Sequence, residues 1–160
     1  MGTRGDYLDN FLKKLKLPYY EGIFAANTVP NEIFDKPIFC IIVNTDLYGM
    51  EGKHWISIIK YRNKVKIFDS SSTPKILLFP VMNKLFLKLK ATPIRSKKIQ
   101  SINSNFCGFY CLHEIMKFHL LLKNKLLKSH LNSFQKNTNK NDDICIQNIE
   151  KMISKIKQNY

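Results

Sequence analysis

The sequence predicts an α+β domain in which a mixed β-sheet packs against a buried helix carrying a cysteine. Three observations point there. Two apolar runs, His54 to Tyr61 and Lys64 to Asp69, are joined by Arg62-Asn63 and read as a β-hairpin. The β-branched run Phe39 to Asn44 reads as a buried strand. The stretch from Phe106 to about Leu122 is apolar nearly all round, the pattern of a helix enclosed by a core.

The other elements follow in chain order. Leu8, Phe11, Leu12 and Leu15 recur at helical spacing between Asp6 and Leu15, and Leu17-Pro18 closes that amphipathic helix. Tyr19 to Pro37 holds Gly22, Pro30 and Pro37 and predicts loop with short extended pieces. Leu77, Val81, Leu85 and Leu89 recur every four residues and predict a helix from about Pro80. Thr92 to Gln100 holds a short extended segment, with Ile94 and Ile99 as candidate buried positions, and Ser104 or Asn105 can cap the buried helix.

Residues 123–141 are dominated by Lys, Asn and Ser and predict a solvated, partly mobile segment. Asp142 and Asp143 suit the start of a last helix, 142–160, bearing Ile146, Ile149, Ile153 and Ile156. A length of 160 residues with 44% apolar content suits a single domain with its own core, spanning 1–160.

Charge is the next signal. With 26 basic and 12 acidic residues the net charge is +14, spread along the chain. Nucleic acid, bound non-specifically, is the first partner such a balance suggests, with an anionic membrane surface or an acidic protein as alternatives. A surface merely solvated by lysine explains the same number. The lysines form no single stripe; Lys97 and Lys98, with Lys123, Lys125 and Lys128, are the candidate nucleic-acid clusters. No membrane span is expected, because the longest unbroken apolar run is Ile38 to Val43. No signal peptide is expected in a first twenty residues rich in charge, and Asp6 breaks the myristoylation pattern that Met1-Gly2 begins.

Cys40, Cys107, Cys111 and Cys145 form no CxxC pair and no disulfide-scaffold spacing, and read as reduced thiols. Cys107 and Cys111 sit four apart, yet no second ligand pair supports a zinc site, so no metal is expected.

The chemistry rests on His54, Asp69, Gln100 and Cys107, in that order. Cys107 falls in the first turn of the buried helix, where free backbone N–H groups and the dipole favour a thiolate. His54 is its base and the later acid for a leaving amine, and Asp69 orients the imidazole. Parity supports that pairing: if Tyr61 faces Lys64, Asp69 falls opposite Ile56 and diagonal to His54. Asp69 before three serines is also an ordinary turn residue. Gln100 can offer its amide, with the Cys107 N–H, to a tetrahedral oxyanion. Gly108 leaves room for a substrate backbone beside the sulfur, and Trp55 is placed to wall a groove. Cys111 reads as a packing residue, and His113, His119 and His130 as ordinary helix or surface residues.

These residues carry a resemblance. Pro18-Tyr19-Tyr20-Glu21-Gly22, Ile42-Val43-Asn44-Thr45, Gly52-Lys53-His54-Trp55, Phe68-Asp69, Gln100 and Asn103-Ser104-Asn105-Phe106-Cys107-Gly108-Phe109-Tyr110-Cys111 resemble the adenain family. That family comprises adenovirus maturation proteases and their relatives in virophages and Maverick/Polinton-type elements, and the match covers roughly the first 120 residues. The resemblance implies a papain-like, adenain-like cysteine protease fold with His54, Asp69, Gln100 and Cys107 as catalytic set. It further implies cleavage of viral capsid and core precursors at Gly-containing sites, inside the virion or at the intracellular site of assembly. In that clan the tryptophan after the histidine encloses the substrate glycines, and Trp55 matches it.

DNA as an activator, with no cofactor required for the chemistry, is implied in the same way. No Cys lies between Cys40 and Cys107, so an activating viral peptide would bind without the family's disulfide. The enzyme is expected to act as a monomer. The alternatives are a deconjugase of ubiquitin-like modifiers, from more distant relatives of the clan, and a non-catalytic DNA-binding virion protein.

Overall fold

A computed structural model describes residues 4–50, 54–73, 75–89, 94–124 and 131–158, with backbone alone for 75–81, 94 and 95. The chain forms α1 (Gly5–Lys14), β1 (Tyr20–Ala25), α2 (Asn31–Asp35), β2 (Ile38–Asn44), β3 (Trp55–Tyr61), β4 (Lys64–Phe68), α3 (Lys75–Lys88), β5 (Ile94–Arg95), α4 (Cys107–Leu122) and α5 (Asn141–Lys157). A 3-10 turn, Thr138–Lys140, leads into α5. The five strands form one sheet in the order β1-β2-β3-β4-β5. The outer pairs, β1/β2 and β4/β5, are parallel and the inner pairs antiparallel, so the sheet is mixed and the class α+β.

Alternation along the strands divides the core in two. Cys40, Ile42, Ile59 and Phe68 face a cluster built with Leu8 and Leu12 of α1, Tyr110, Leu112, Ile115 and Met116 of α4, and Ile149 and Met152 of α5. Phe39, Ile41, Val43, Ile56, Ile58 and Ile67 face the opposite cluster, closed by Ile33 of α2 and Met82, Leu85 and Leu89 in and just after α3. β2 is therefore apolar from Ile38 to Val43, as a strand covered on both faces must be. α4 is apolar on most sides because the sheet, α1 and α5 pack around it.

The hairpin has the register expected from its sequence: Tyr61 pairs with Lys64 and Ser57 with Phe68. Arg62 takes a φ of 54° to make the two-residue turn, and its N–H donates to Pro37 O.

Elsewhere the structure corrects the sequence reading. Residues 20–25, within a stretch expected as loop with short extended pieces, form the six-residue strand β1, whose pairing with β2 shifts register between Tyr20 and Gly22. Gly22 has a φ of +134°, and a side chain there would press on the Phe24 ring. α3 begins at Lys75, five residues before Pro80. Phe106, not Ser104 or Asn105, holds the N-cap position of α4, although Ser104 Oγ accepts the Phe106 N–H at 3.2 Å. α5 starts one residue early, at Asn141.

Part of the segment expected to be mobile is also fastened. Asn132 and Gln135 donate backbone N–H groups to Asn148 and Asn141 of α5, each at 2.8 Å. The Phe134 ring lies against His113 and Tyr110. Sidedness explains it: 131–135 carries only two apolar side chains, Leu131 and Phe134, and both turn onto α4 and α5.

Candidate active site

His54 immediately precedes β3 and Asp69 immediately follows β4, so the hairpin brings both to its open end. His54 Nε2 donates to Asp69 Oδ1 at 2.7 Å. The carboxylate is held by its own turn: Oδ1 also accepts the Ser71 N–H at 2.9 Å, and Oδ2 the Thr73 N–H at 2.7 Å. Ser96, just beyond β5, locks the Asp69 backbone, its Oγ accepting from Asp69 N at 2.9 Å and donating to Asp69 O at 2.5 Å. These bonds make Asp69 a rigid acceptor.

Cys107 comes from the other side of the sheet. Strict alternation would turn His54 and Asp69 toward the α3 face, whereas α4 packs on the opposite face. They meet because His54 and Asp69 lie past the last paired residues and the first turn of α4 reaches the sheet rim. With Nε2 committed to Asp69, Nδ1 is the ring nitrogen left for the Cys107 thiol, with which His54 is hydrogen-bonded. The backbone N–H groups of Trp55 and Gly108 also point at the sulfur. Cys107 as a residue is 7% exposed.

Burial alone would lift the Cys107 thiol, yet the hydrogen bond and charge of His54 and the two backbone donors hold it below its usual range. Burial likewise works against a charged His54, but the bonds to Asp69 and Cys107 outweigh it and raise the imidazole to about 9. Asp69 is pushed up by burial and pulled down further by His54 and the Thr73 N–H, so its carboxyl stays below the ordinary value. These directions favour a charged imidazole held between the Asp69 carboxylate and a thiol that ionises more readily than a free one. The other cysteines behave oppositely: burial pushes Cys40 up to about 12 and raises Cys111 and Cys145 strongly. All four cysteines are free.

Gln100 is 3% exposed and its amide is pinned. Oε1 accepts from Ser70 Oγ at 2.5 Å and Ser71 Oγ at 3.3 Å. Nε2 donates to the Ser104 carbonyl at 2.7 Å; since a carbonyl only accepts, the amide nitrogen must face the loop that leads into Cys107. The backbone N–H groups of Ile99 and Gln100 both donate to Ser70 O at 2.9 Å, tying this loop to the residue after Asp69. The Cys107 N–H lies in the first turn of α4, where no intrahelical carbonyl is in reach.

Trp55 is partly buried, with its ring end over Gly5 of α1; a side chain at residue 5 would collide with it. Gly108 is buried in the first turn of α4. Lys97, Lys98 and Lys123 are exposed, whereas Lys125, Lys128, Gly52, Lys53 and His130 lie outside the described residues. A basic depression that the lysine clusters did not anticipate, about 450 Å³, is lined by Lys60, Arg62 and Lys88 with Asp35. His113, expected as an ordinary helix or surface residue, is buried beside Glu114. Burial pushes the Glu114 carboxyl up, but His113, Lys66 and Lys117 bring it down to about 2. Among the described residues no group of three or more His, Cys, Asp or Glu side chains could hold a metal ion, and no helix is long and apolar enough to cross a membrane.

Sequence reasoning missed Ser70, Ser96, Asn141 and Asp142 as partners of this site. Their side chains reach it from 27 to 42 residues away in sequence, and serines and a helix-starting Asp carry no pattern that announces such a contact.

No protein-family model matches the chain, and no curated protein matches it. Among solved structures it is similar to the central domain of the uncharacterized Lpg1148 protein from Legionella pneumophila, at 10% sequence identity and a TM-score of 0.50. That likeness spans 98% of each chain, and at such identity it concerns the fold alone.

Proposed function

We propose that this chain is a cysteine endopeptidase of papain-like, adenain-like architecture. The observation that carries the reading is the single thiol held below its ordinary range, Cys107, in contact with an imidazole whose other nitrogen is fixed by a buried carboxylate.

Cys107 Sγ attacks the scissile carbonyl as a thiolate. The oxyanion that forms is received by the Cys107 N–H and the Gln100 side-chain amide, whose nitrogen also donates to the Ser104 carbonyl. His54, already protonated, gives its Nδ1 proton to the leaving amine, which breaks the C–N bond and leaves a thioester. It then takes a proton from the water that hydrolyses that thioester and restores the thiolate. Asp69 keeps the charged ring in one orientation throughout.

The substrates we assign are viral capsid and core precursors, cut at Gly-containing sites during maturation in the virion or at the site of assembly. The resemblance at Gly52-Lys53-His54-Trp55 and Asn103 to Cys111 supports that assignment. DNA is the proposed non-specific partner and activator, supported by the +14 charge and by the depression lined by Lys60, Arg62 and Lys88.

The test is cleavage of a capsid precursor, a Gly-Gly fluorogenic peptide and a Gly-Gly isopeptide conjugate by wild type and Cys107→Ala, each with and without DNA. Precursor cleavage that Cys107→Ala abolishes is expected. Cleavage of the isopeptide alone would move the reading to a deconjugase, and equal cleavage by the variant would end the thiol mechanism.

A further inference from the structure

We propose that Asn141 and Asp142, the first two residues of α5, are positioning residues that grip both ends of the loop bearing Gln100 and thereby fix the aim of its amide. The inference rests on the oxyanion role given to Gln100 above.

Asn141 is fully buried and holds the entry of the loop. Its Nδ2 donates to Ile99 O at 2.8 Å and to Gln135 O at 3.0 Å, while its Oδ1 accepts the Gln135 N–H at 2.8 Å. Asp142 holds the exit: Oδ1 accepts from Ser104 Oγ and from Tyr110 Oη, each at 2.9 Å. Ser104 is the residue whose carbonyl receives Gln100 Nε2, and its Oγ accepts the Phe106 N–H just before Cys107. Tyr110 joins the same carboxylate to α4, one turn beyond the thiol. One short stretch of α5 thus connects the loop entry, the loop exit and the helix carrying Cys107.

The other anchor of this loop, Ser70, fixes the backbone of residues 99 and 100 and the carbonyl of the Gln100 side chain. It does not hold Ser104, which sets where the amide nitrogen points. That task falls to Asp142. A plain helix-starting role does not account for these contacts. Asp143 is exposed and serves the positive end of the helix dipole equally well, but only Asp142 receives both hydroxyl donors.

The experiment compares wild type, Asp142→Ala, Asp142→Asn, Gln100→Ala and the double variant Gln100→Ala/Asp142→Ala, all as full chains. Four quantities are read: kcat and KM on a Gly-Gly peptide, the rate of Cys107 alkylation by iodoacetamide, and the side-chain amide resonance of Gln100, identified by its disappearance in Gln100→Ala. Asp142→Ala is expected to lower kcat about 10- to 100-fold with KM within about twofold, the cost of misplacing a transition-state donor. Alkylation should stay within about twofold of wild type, since the His54 pair is untouched. The amide resonance should shift or broaden. Asp142→Asn, which keeps an oxygen able to accept both hydroxyls, should restore the resonance and most of kcat. The double variant should be no slower than Gln100→Ala, because the two act through one group.

Additive losses in the double variant, or an unmoved resonance in Asp142→Ala, would overturn the inference. So would a parallel loss of alkylation and kcat, which marks general destabilisation. If wild type cuts no peptide, the endopeptidase reading falls while the resonance alone still decides whether Asp142 positions Gln100.

Discussion

His54 Nε2 lies 2.7 Å from Asp69 Oδ1, although neither residue belongs to a paired strand. Their meeting is a product of hairpin register, and a one-residue slip of β4 against β3 would turn Asp69 to the other face. The same contact decides which imidazole nitrogen faces Cys107. Replacing Asp69 by Ala should lower kcat/KM about 100-fold and raise the pH at which the thiol becomes reactive, measured by peptide hydrolysis and by alkylation. Asp69→Asn should be similarly slow, because an amide can fix the ring but cannot balance an imidazolium.

Cys107 should be the one thiol that reacts readily in the folded protein. Iodoacetamide at neutral pH, applied briefly and read by mass spectrometry, is expected to modify Cys107 and leave Cys40, Cys111 and Cys145 intact. Burial lifts those three thiols, whereas His54 and two backbone donors lower Cys107. Equal labelling of Cys111 would contradict this electrostatic contrast.

Activity should follow a bell in pH. The acidic limb reports formation of the Cys107 thiolate, below the ordinary thiol range, and the basic limb reports loss of the His54 proton at about 9. Stability carries a matching sign. Because the folded His54 binds its proton more tightly than an unfolded histidine, its contribution is fully present below the unfolded value of 6.5 and disappears as pH rises through about 9. Asp69, depressed in the fold, contributes above its unfolded value of 3.8 and loses that contribution as pH falls through its folded value. Denaturation midpoints of wild type and His54→Gln across this range should converge at high pH.

Removing the Gln100 amide should affect the transition state alone. Gln100→Ala is expected to lower kcat about 100-fold with KM nearly unchanged, while Cys107 alkylation stays near wild type. A rise in KM with kcat intact would mean that Gln100 holds the substrate instead of the oxyanion.

Positive charge should matter through salt. If Lys60, Arg62 and Lys88 contact phosphates, replacing all three by Gln should flatten the dependence of DNA affinity on salt by about three phosphate contacts. An unchanged slope would place the contacts elsewhere, with the exposed Lys97 and Lys98 the next variants to measure.

The inner hairpin and α4 were legible in the sequence because each obeys a strong local rule. Alternation and a two-residue turn set the Tyr61–Lys64 register, and an all-round apolar face announced a helix between sheet and α5. β1 was not, since its pairing breaks at Gly22 and its residues 20–25 show no clean alternation. Of the site, His54, Asp69 and Cys107 were found together because order and local setting suit one chemistry. Their supports were hidden for a physical reason. Asp142 and Asn141 act through single hydrogen bonds to Ser104 and Ile99, 38 and 42 residues away, and a lone contact over that separation leaves no periodic trace.

The pH dependence of Cys107 alkylation in wild type and His54→Gln tests the thiolate–imidazolium pair most directly. Wild type should become reactive at a pH below the ordinary thiol range, and His54→Gln should react slowly until pH nears that range. Coincident profiles would show that His54 does not activate Cys107 and would contradict the mechanism.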